Sequence, residues 1–487
     1  MKKLFFILLI FISVNSFSAT YYVALNGNDS NTGSRESPFA TINRAWAAVT
    51  SGYSDVIYVR GGIYTYSRFG TTRLTGKNGV SLYAYPNELP IIDFLDYTGG
   101  SATEIIRVED CDDIHIRGFE LRHNVQLPTG RLGYGLRISN RVNTGLFENL
   151  NIHHCGGWGV IIWGGNNTSG YQSSNNVFYR IDSHHHSDRY SVDSDGNGDP
   201  WGGSDGFLMN SYNGYAYPSM GNTFIECRAW WNSDDGWDNR LFNGDSFYDG
   251  CWAFWNGYQP GYTMNDPDIR EQGGNGYGFK LGSRYATHTA SVMRTMHNCL
   301  AFENRETGIQ CEHSDGRYDM GARIYNNTAY GNGRAGFSHG PISVGVTWLR
   351  NNLSYANGYD IASDDPSIDD NYNASTSSYW RRRDFIPVST DFANLSSVGM
   401  NGARGENGEL PQTQFLRLSE TSNMIDVGIN VGLDYLGSAP DIGAYEYGEE
   451  VPPPPPPIDP TVTGVVKAFH EGRWKVVLYQ NNLMIKR

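Results

Sequence analysis

Five residues combine chemical potential with suggestive spacing: Asp205, Asp234, Asp235, Asp238 and Lys280. Each lies within two residues of a glycine. Asp205 precedes Gly206 and Asp235 precedes Gly236, while Asp238 follows Gly236 by two residues and Lys280 follows Gly278 by two. If those glycines mark one position in successive coils of a repeat, the apolar residue after each points inward and the next points outward by strand alternation. Asp238 and Lys280 then become neighbours on one exterior face, with Asp205 and Asp235 stacked beside them. Carboxylates crowded in this way repel one another unless a cation neutralises them, and an all-oxygen set suits Ca2+ far better than zinc. A lysine beside bound Ca2+ and a desolvating substrate should have its pKa lowered, which is how a lysine becomes a general base.

The elements that must hold these residues are visible as repeats. Cys227-Arg228-Ala229-Trp230-Trp231-Asn232 is echoed by copies opening at Cys251, Cys299, Asn327 and Asn352, at steps of 24, 48, 28 and 25 residues, and each copy ends in asparagine. A glycine and an apolar residue follow each copy, as in Gly236-Trp237, Gly278-Phe279, Gly308-Ile309 and Gly336-Phe337, and Gly135-Leu136, Gly159-Val160 and Gly206-Phe207 read alike. Short alternating strands separated by Gly and Asn at this period describe an all-β parallel β-helix, expected to be right-handed. The asparagines should hydrogen-bond as a ladder from coil to coil. Cys227, Cys251 and Cys299 should form a buried stack of free thiols rather than disulfides. The long step holds an insertion between Asn256 and Gly278, with Tyr258, Tyr262, Asp266, Asp268, Arg270 and Glu271, expected to project beside the catalytic face as a cleft wall.

The ends divide the chain. Residues 1–19 have two lysines, an apolar stretch and a small-residue ending, the pattern of a secretory signal, so a secreted, periplasmic or surface location is expected. Residues 20–447 form the β-helix domain, opened by an amphipathic helix over 37–49 that should cap the coil stack. Residues 448–460 are a proline-rich linker with six consecutive prolines, and 461–487 a short basic tail. No later segment approaches the roughly 20 apolar residues of a membrane span. The 37 Lys and Arg against 51 Asp and Glu give a net charge of -14, which argues against nucleic acid and requires local positive charge to hold an anionic polymer. A monomer is expected.

The motifs Ser204-Asp205-Gly206-Phe207, Gly221-Asn222-Thr223-Phe224 through Ser233-Asp234-Asp235-Gly236-Trp237-Asp238, and Gly278-Phe279-Lys280-Leu281-Gly282 resemble the β-helix pectate lyases of polysaccharide lyase family nine. More loosely, the resemblance runs from Tyr21 to about Tyr447. It implies Asp205, Asp234, Asp235 and Asp238 as calcium ligands, Lys280 as catalytic base, and an acidic, pectin-type plant cell-wall polysaccharide as substrate, pectate or rhamnogalacturonan. Arg240 and Arg284 have outward registers and are candidates to bind substrate carboxylates, or plain surface charges. Asp193-Ser194-Asp195-Gly196-Asn197-Gly198-Asp199 copies the start of an EF-hand loop without its closing glutamate, leaving a second calcium or a polar loop open. His184-His185-His186 reads as surface or loop, because adjacent strand side chains point to alternate faces. Two other functions fit the same scaffold: a glycoside hydrolase with an acid pair and a non-catalytic glycan-binding solenoid.

Overall fold

The computed structural model describes residues 18–163, 173–191, 200–210, 220–239, 242, 244–282, 292–311, 321–339, 347–361, 368–378, 380, 383–448, 465–470, 473–480 and 483–485. The described residues wind through three long parallel sheets of 12, 12 and 10 strands, here the first, second and third in the order each coil visits them. One coil runs from Asn222–Ile225 in the first sheet to Arg228–Trp230 in the second and Trp237–Asp238 in the third. Successive coils pair in register, Thr223 with Phe247 and Ala229 with Ala253.

Side-chain stacks explain why these short strands hold together. Phe147, Phe178, Phe224 and Tyr248 stack through the interior at centroid distances of 5.1, 4.8 and 5.3 Å, and Phe207, Trp237 and Phe279 form a second column at 4.6 and 4.5 Å. The asparagine ladder is present: Asn232, Asn256, Asn304, Asn332 and Asn357 are linked in series, each amide donating to the next at 2.9 to 3.0 Å. Those amides occupy the space a rung side chain would need. A Cβ on Gly236 would lie 2.5 Å from Gly278 O and 3.0 Å from Asn256 Nδ2, and one on Gly278 would lie 2.8 Å from Asn304 Nδ2. The repeated glycine and the repeated asparagine are therefore one packing device. All six cysteines are free and buried, and the Cys251 amide donates to Cys299 Sγ at 3.3 Å. Asn327 and Asn352 continue that column, where Cys299 N donates to Asn327 Oδ1 at 2.9 Å.

Two expectations change. The cap helix is shorter than 37–49, spanning Ile42–Ala48, because Pro38 keeps its neighbours extended and Thr41 caps the helix by accepting from Arg44 N. Its buried face, Ile42, Ala45 and Trp46, closes the first coil. The coils also stop short of 447, since the last strand of the three parallel sheets among the described residues is Arg383–Phe385. Residues 386–448 run back along the outer face of the second sheet, where Phe392, Met400, Phe415, Leu416 and Ile442 cover Trp252, Phe254, Leu300 and Phe302. The strands Val465–His470, Arg473–Gln480 and Leu483–Ile485 form a separate antiparallel sheet. No helix among the described residues is long and apolar enough to cross a membrane.

Candidate active site

The rung alignment holds at the third sheet. Leu208 pairs with Asp238 and Asp238 with Lys280, so aspartate and lysine are vertical neighbours on the outer face. Inward neighbours Phe207, Trp237 and Phe279 anchor those strands in the core. At the corner before the sheet, Gly206 N donates to Asp235 O and Gly236 N to Tyr277 O, which stacks Asp205, Asp235 and Tyr277 on successive coils.

The corner concentrates negative charge. Asp205, Asp234 and Asp235 are 2, 4 and 0% exposed, and one carboxylate oxygen from each lies within 4.8 Å of the others. Asp238 reaches this group through the lysine, whose Nζ donates to Asp235 Oδ2 at 2.8 Å and to Asp238 Oδ2 at 3.1 Å. Backbone amides fix the acids: Asp235 N donates to Asp205 Oδ1 at 3.0 Å, Asn275 N to Asp234 Oδ1 at 2.6 Å, and Tyr277 N to Asp235 Oδ1 at 2.7 Å. Burial, reinforced by the neighbouring carboxylates, pushes Asp205 and Asp234 well above the usual carboxylate range, and burial raises Asp235 despite the lysine beside it.

The lowered pKa expected of Lys280 concerns a lysine beside bound Ca2+; among the acids alone the balance runs the other way. Burial works against its charge, but Asp235, Asp238, Asp234 and Asp205 overcome that and hold the ammonium well above its ordinary value. The lowered pKa expected from sequence requires the acids to be neutralised. With the acids charged, the lysine is their counter-ion.

The insertion between Asn256 and Gly278 forms a hairpin, Tyr258–Gln259 with Ile269–Gln272. It leans along the neighbouring corners, with Tyr262 Oη donating to Gln126 O, Asp268 paired to His185 at 3.2 Å and Arg270 paired to Glu303 at 2.8 Å. Its descending limb supplies the Asn275 and Tyr277 amides that position the acids, a role sequence reasoning missed. Tyr277 could have been found, because it occupies the position before Gly278 that Asp205 and Asp235 occupy before their own glycines.

The histidines meet their expectation in part: His185 and His186 leave the strand into a loop, but His186 is not at the surface. His184 ends a strand, stacks on His153 at 5.0 Å and on Trp230 at 4.0 Å, and meets His185 with their Nδ1 atoms 2.6 Å apart, while His186 is fully buried. The turn at His185, with φ of 55°, breaks the alternation on which the surface reading relied. Arg240, Arg284 and residues 193–199 lie outside the described residues.

The donor set fits a hard divalent cation. Three buried carboxylates converge with their negative charge incompletely matched by one ammonium, and the hydroxyl of Ser204, beside Asp205, is buried without a hydrogen-bond partner among the described residues.

Comparison with known proteins places this arrangement. The profile of the Pel9A-like, right handed beta helix region matches residues 21–352. Pectate lyase L of Dickeya dadantii (strain 3937) is 32% identical over 443 residues, covering 88% of this chain and 90% of the relative. The crystal structure of pectate lyase Pel9A superposes with a TM-score of 0.66 at 26% identity, covering 88% of this chain and 96% of that one. A rhamnogalacturonan lyase structure shares the fold, with a TM-score of 0.63 at 24% identity over 83% of this chain and 97% of that one. The chain therefore belongs to the Pel9A-like right-handed β-helix family and is a polysaccharide lyase.

Proposed function

We propose that the protein is an exported, calcium-dependent lyase that cleaves 4-linked galacturonic acid units in a pectic polymer, pectate or rhamnogalacturonan, by β-elimination with Lys280 as base. The observation that carries this reading is the juxtaposition of the Lys280 ammonium, 2.8 Å from Asp235, with the convergent oxygens of Asp205, Asp234 and Asp235. The pectate lyases named above support the substrate class.

Asp205, Asp234 and Asp235 would hold Ca2+, with Asp238 completing the acidic set beside the lysine. When bound, Ca2+ neutralises the substrate carboxylate and makes the adjacent C5 proton more acidic. Cation charge held beside the aspartates would also offset part of what keeps Lys280 charged, letting burial act in the direction that a base requires. Neutral Lys280 then takes the C5 proton. The C5 electron pair becomes the C4=C5 double bond as the C4–O bond breaks, and the departing oxygen is protonated by solvent. Lys280 returns its proton to solvent, so no water is consumed. Arg240 and Arg284 remain candidates for the flanking carboxylates. The protein is proposed to act as a monomer, and the leader-like residues 1–19 support export.

The test is a panel of polygalacturonate and rhamnogalacturonan with and without chelator. Ultraviolet absorbance from the conjugated product, abolished by chelator and restored by Ca2+, is expected. New reducing ends without that absorbance would install the hydrolase, and binding without cleavage the glycan-binding solenoid.

A further inference from the structure

The coils immediately N-terminal to the acidic corner carry a different set of side chains at the same positions. Gly135 N donates to Trp158 O and Gly159 N to Asp205 O, which places Tyr134, Trp158, Asp205 and Asp235 in one column on successive coils. Aromatic rings thus replace the acids directly beyond Asp205. Tyr134 and Trp158 stack at 5.3 Å and 8°, and Trp163 lies tilted against Trp158 at 6.4 Å; all three remain partly exposed.

The neighbouring outward column changes in the same way. Register runs from Lys280 through Asp238, Leu208 and Ile161 to Arg137, Arg107 and Arg73. Arg137 lies 5.8 Å from the Trp163 ring and is fixed by Glu104 at 2.9 Å, while Arg107 is fixed by Glu109 at 2.8 Å. Arg73 is exposed and has no ion-pair partner among the described residues, so three arginines face two glutamates. This strip is locally positive in a chain of net charge -14. At about 4.8 Å per coil, Arg137 is four steps, or about 19 Å, from Lys280 along the helix axis.

We infer that Tyr134, Trp158 and Trp163 with Arg137 and Arg107 form a distal subsite that holds the uronic-acid polymer several sugars from the scissile bond. Aromatic rings suit the apolar faces of pyranose rings, and guanidinium groups held in fixed planes suit carboxylates. Continuity with the catalytic column, and the excess positive charge that Arg73 adds at the far end of the strip, select the same polymer as the occupant, so the inference rests on the proposed function.

The test compares kcat/KM on long polygalacturonate with that on trigalacturonate, which is too short to reach from Lys280 to Arg137, for wild type, Trp158→Ala, Trp163→Ala and Arg137→Gln at saturating Ca2+. The polymer-to-trimer ratio should fall about tenfold in each variant, mainly through KM on the polymer, and Arg137→Gln should also weaken the salt dependence of that KM. Trp163→Ala and Arg137→Gln keep the assay informative if Trp158→Ala misfolds. A ratio equal to wild type, or equal losses on both substrates, overturns the subsite while leaving the proposed function intact. Failure of wild type to cleave any uronic polymer overturns both.

Discussion

At the scale of single residues, Lys280 has two jobs that mutation separates. It is the proposed base, and it is the counter-ion of Asp235 and Asp238. Lys280→Ala should lose activity by about 10^3-fold or more, and Lys280→Arg should be as inactive because guanidinium stays protonated. Without metal the alanine variant should melt below wild type, since its acids are left unpaired, and Ca2+ should restore most of the difference in thermal unfolding. Initial rates at saturating Ca2+ should rise with pH into the alkaline range, because only neutral lysine accepts the proton; a mildly acidic optimum with two carboxylate limbs would point to an acid pair instead. Asp234 gives a pH prediction with the opposite sign to most aspartates. Its pKa is raised by burial and by Asp235, so above the unfolded value of 3.8 the folded state binds more protons, and stability falls as pH rises through the raised value. In chelator, Asp234→Asn should therefore match or exceed wild-type stability, with the gap widening from acid to neutral pH, and its calcium-induced rise in Tm should be lost. An undiminished calcium shift would remove Asp234 from the metal site.

At the scale of the element, the asparagine ladder sets the rungs on which the site stands. Asn304 donates to Asn332 Oδ1 at 3.0 Å and to Ala253 O at 2.9 Å, and it accepts from Asn256 Nδ2 at 2.9 Å. Asn304→Ala would leave Asn256 Nδ2 and Ala253 O buried without those partners, at a cost of about 2–5 kcal/mol. Denaturant unfolding measures that loss directly. The same ladder borders Gly278, two residues before Lys280, so activity should fall along with stability even though Asn304 is remote from the acids.

At the scale of the whole molecule, residues 386–448 complete the solenoid by covering the outer face of its second sheet. Arg228, 1% exposed, donates to Met400 O and Gly402 O, and Arg404 reaches Asp182 at 2.7 Å. Truncation after Phe385 would uncover Trp252, Phe254, Leu300 and Phe302 together, a contiguous apolar patch that favours aggregation. The chain shortened there should be insoluble, whereas truncation after 448 should yield a soluble, active enzyme with wild-type Tm. Size-exclusion chromatography and a thermal melt distinguish the two, and a stable 1–385 fragment would show that the strap is dispensable.

The coil repeat, the glycine positions, the asparagine and cysteine columns and the juxtaposition of Asp238 with Lys280 were all legible in the chain itself. The physical reason is that a solenoid stacks residues about one period apart, so three-dimensional neighbours recur at a readable interval. Contacts outside that period were not legible. The His185 pair with Asp268 spans 83 residues and the Arg228 bond to Met400 spans 172, and neither follows from any repeat. The end of the coils at Phe385 belongs to the same class, because the strap that follows lacks the rung pattern but shares its apolar composition. Only tertiary structure decided the direction in which the acids shift Lys280. Its pKa reflects burial opposed by four nearby carboxylates, and that sum depends on distances and desolvation that residue order does not encode.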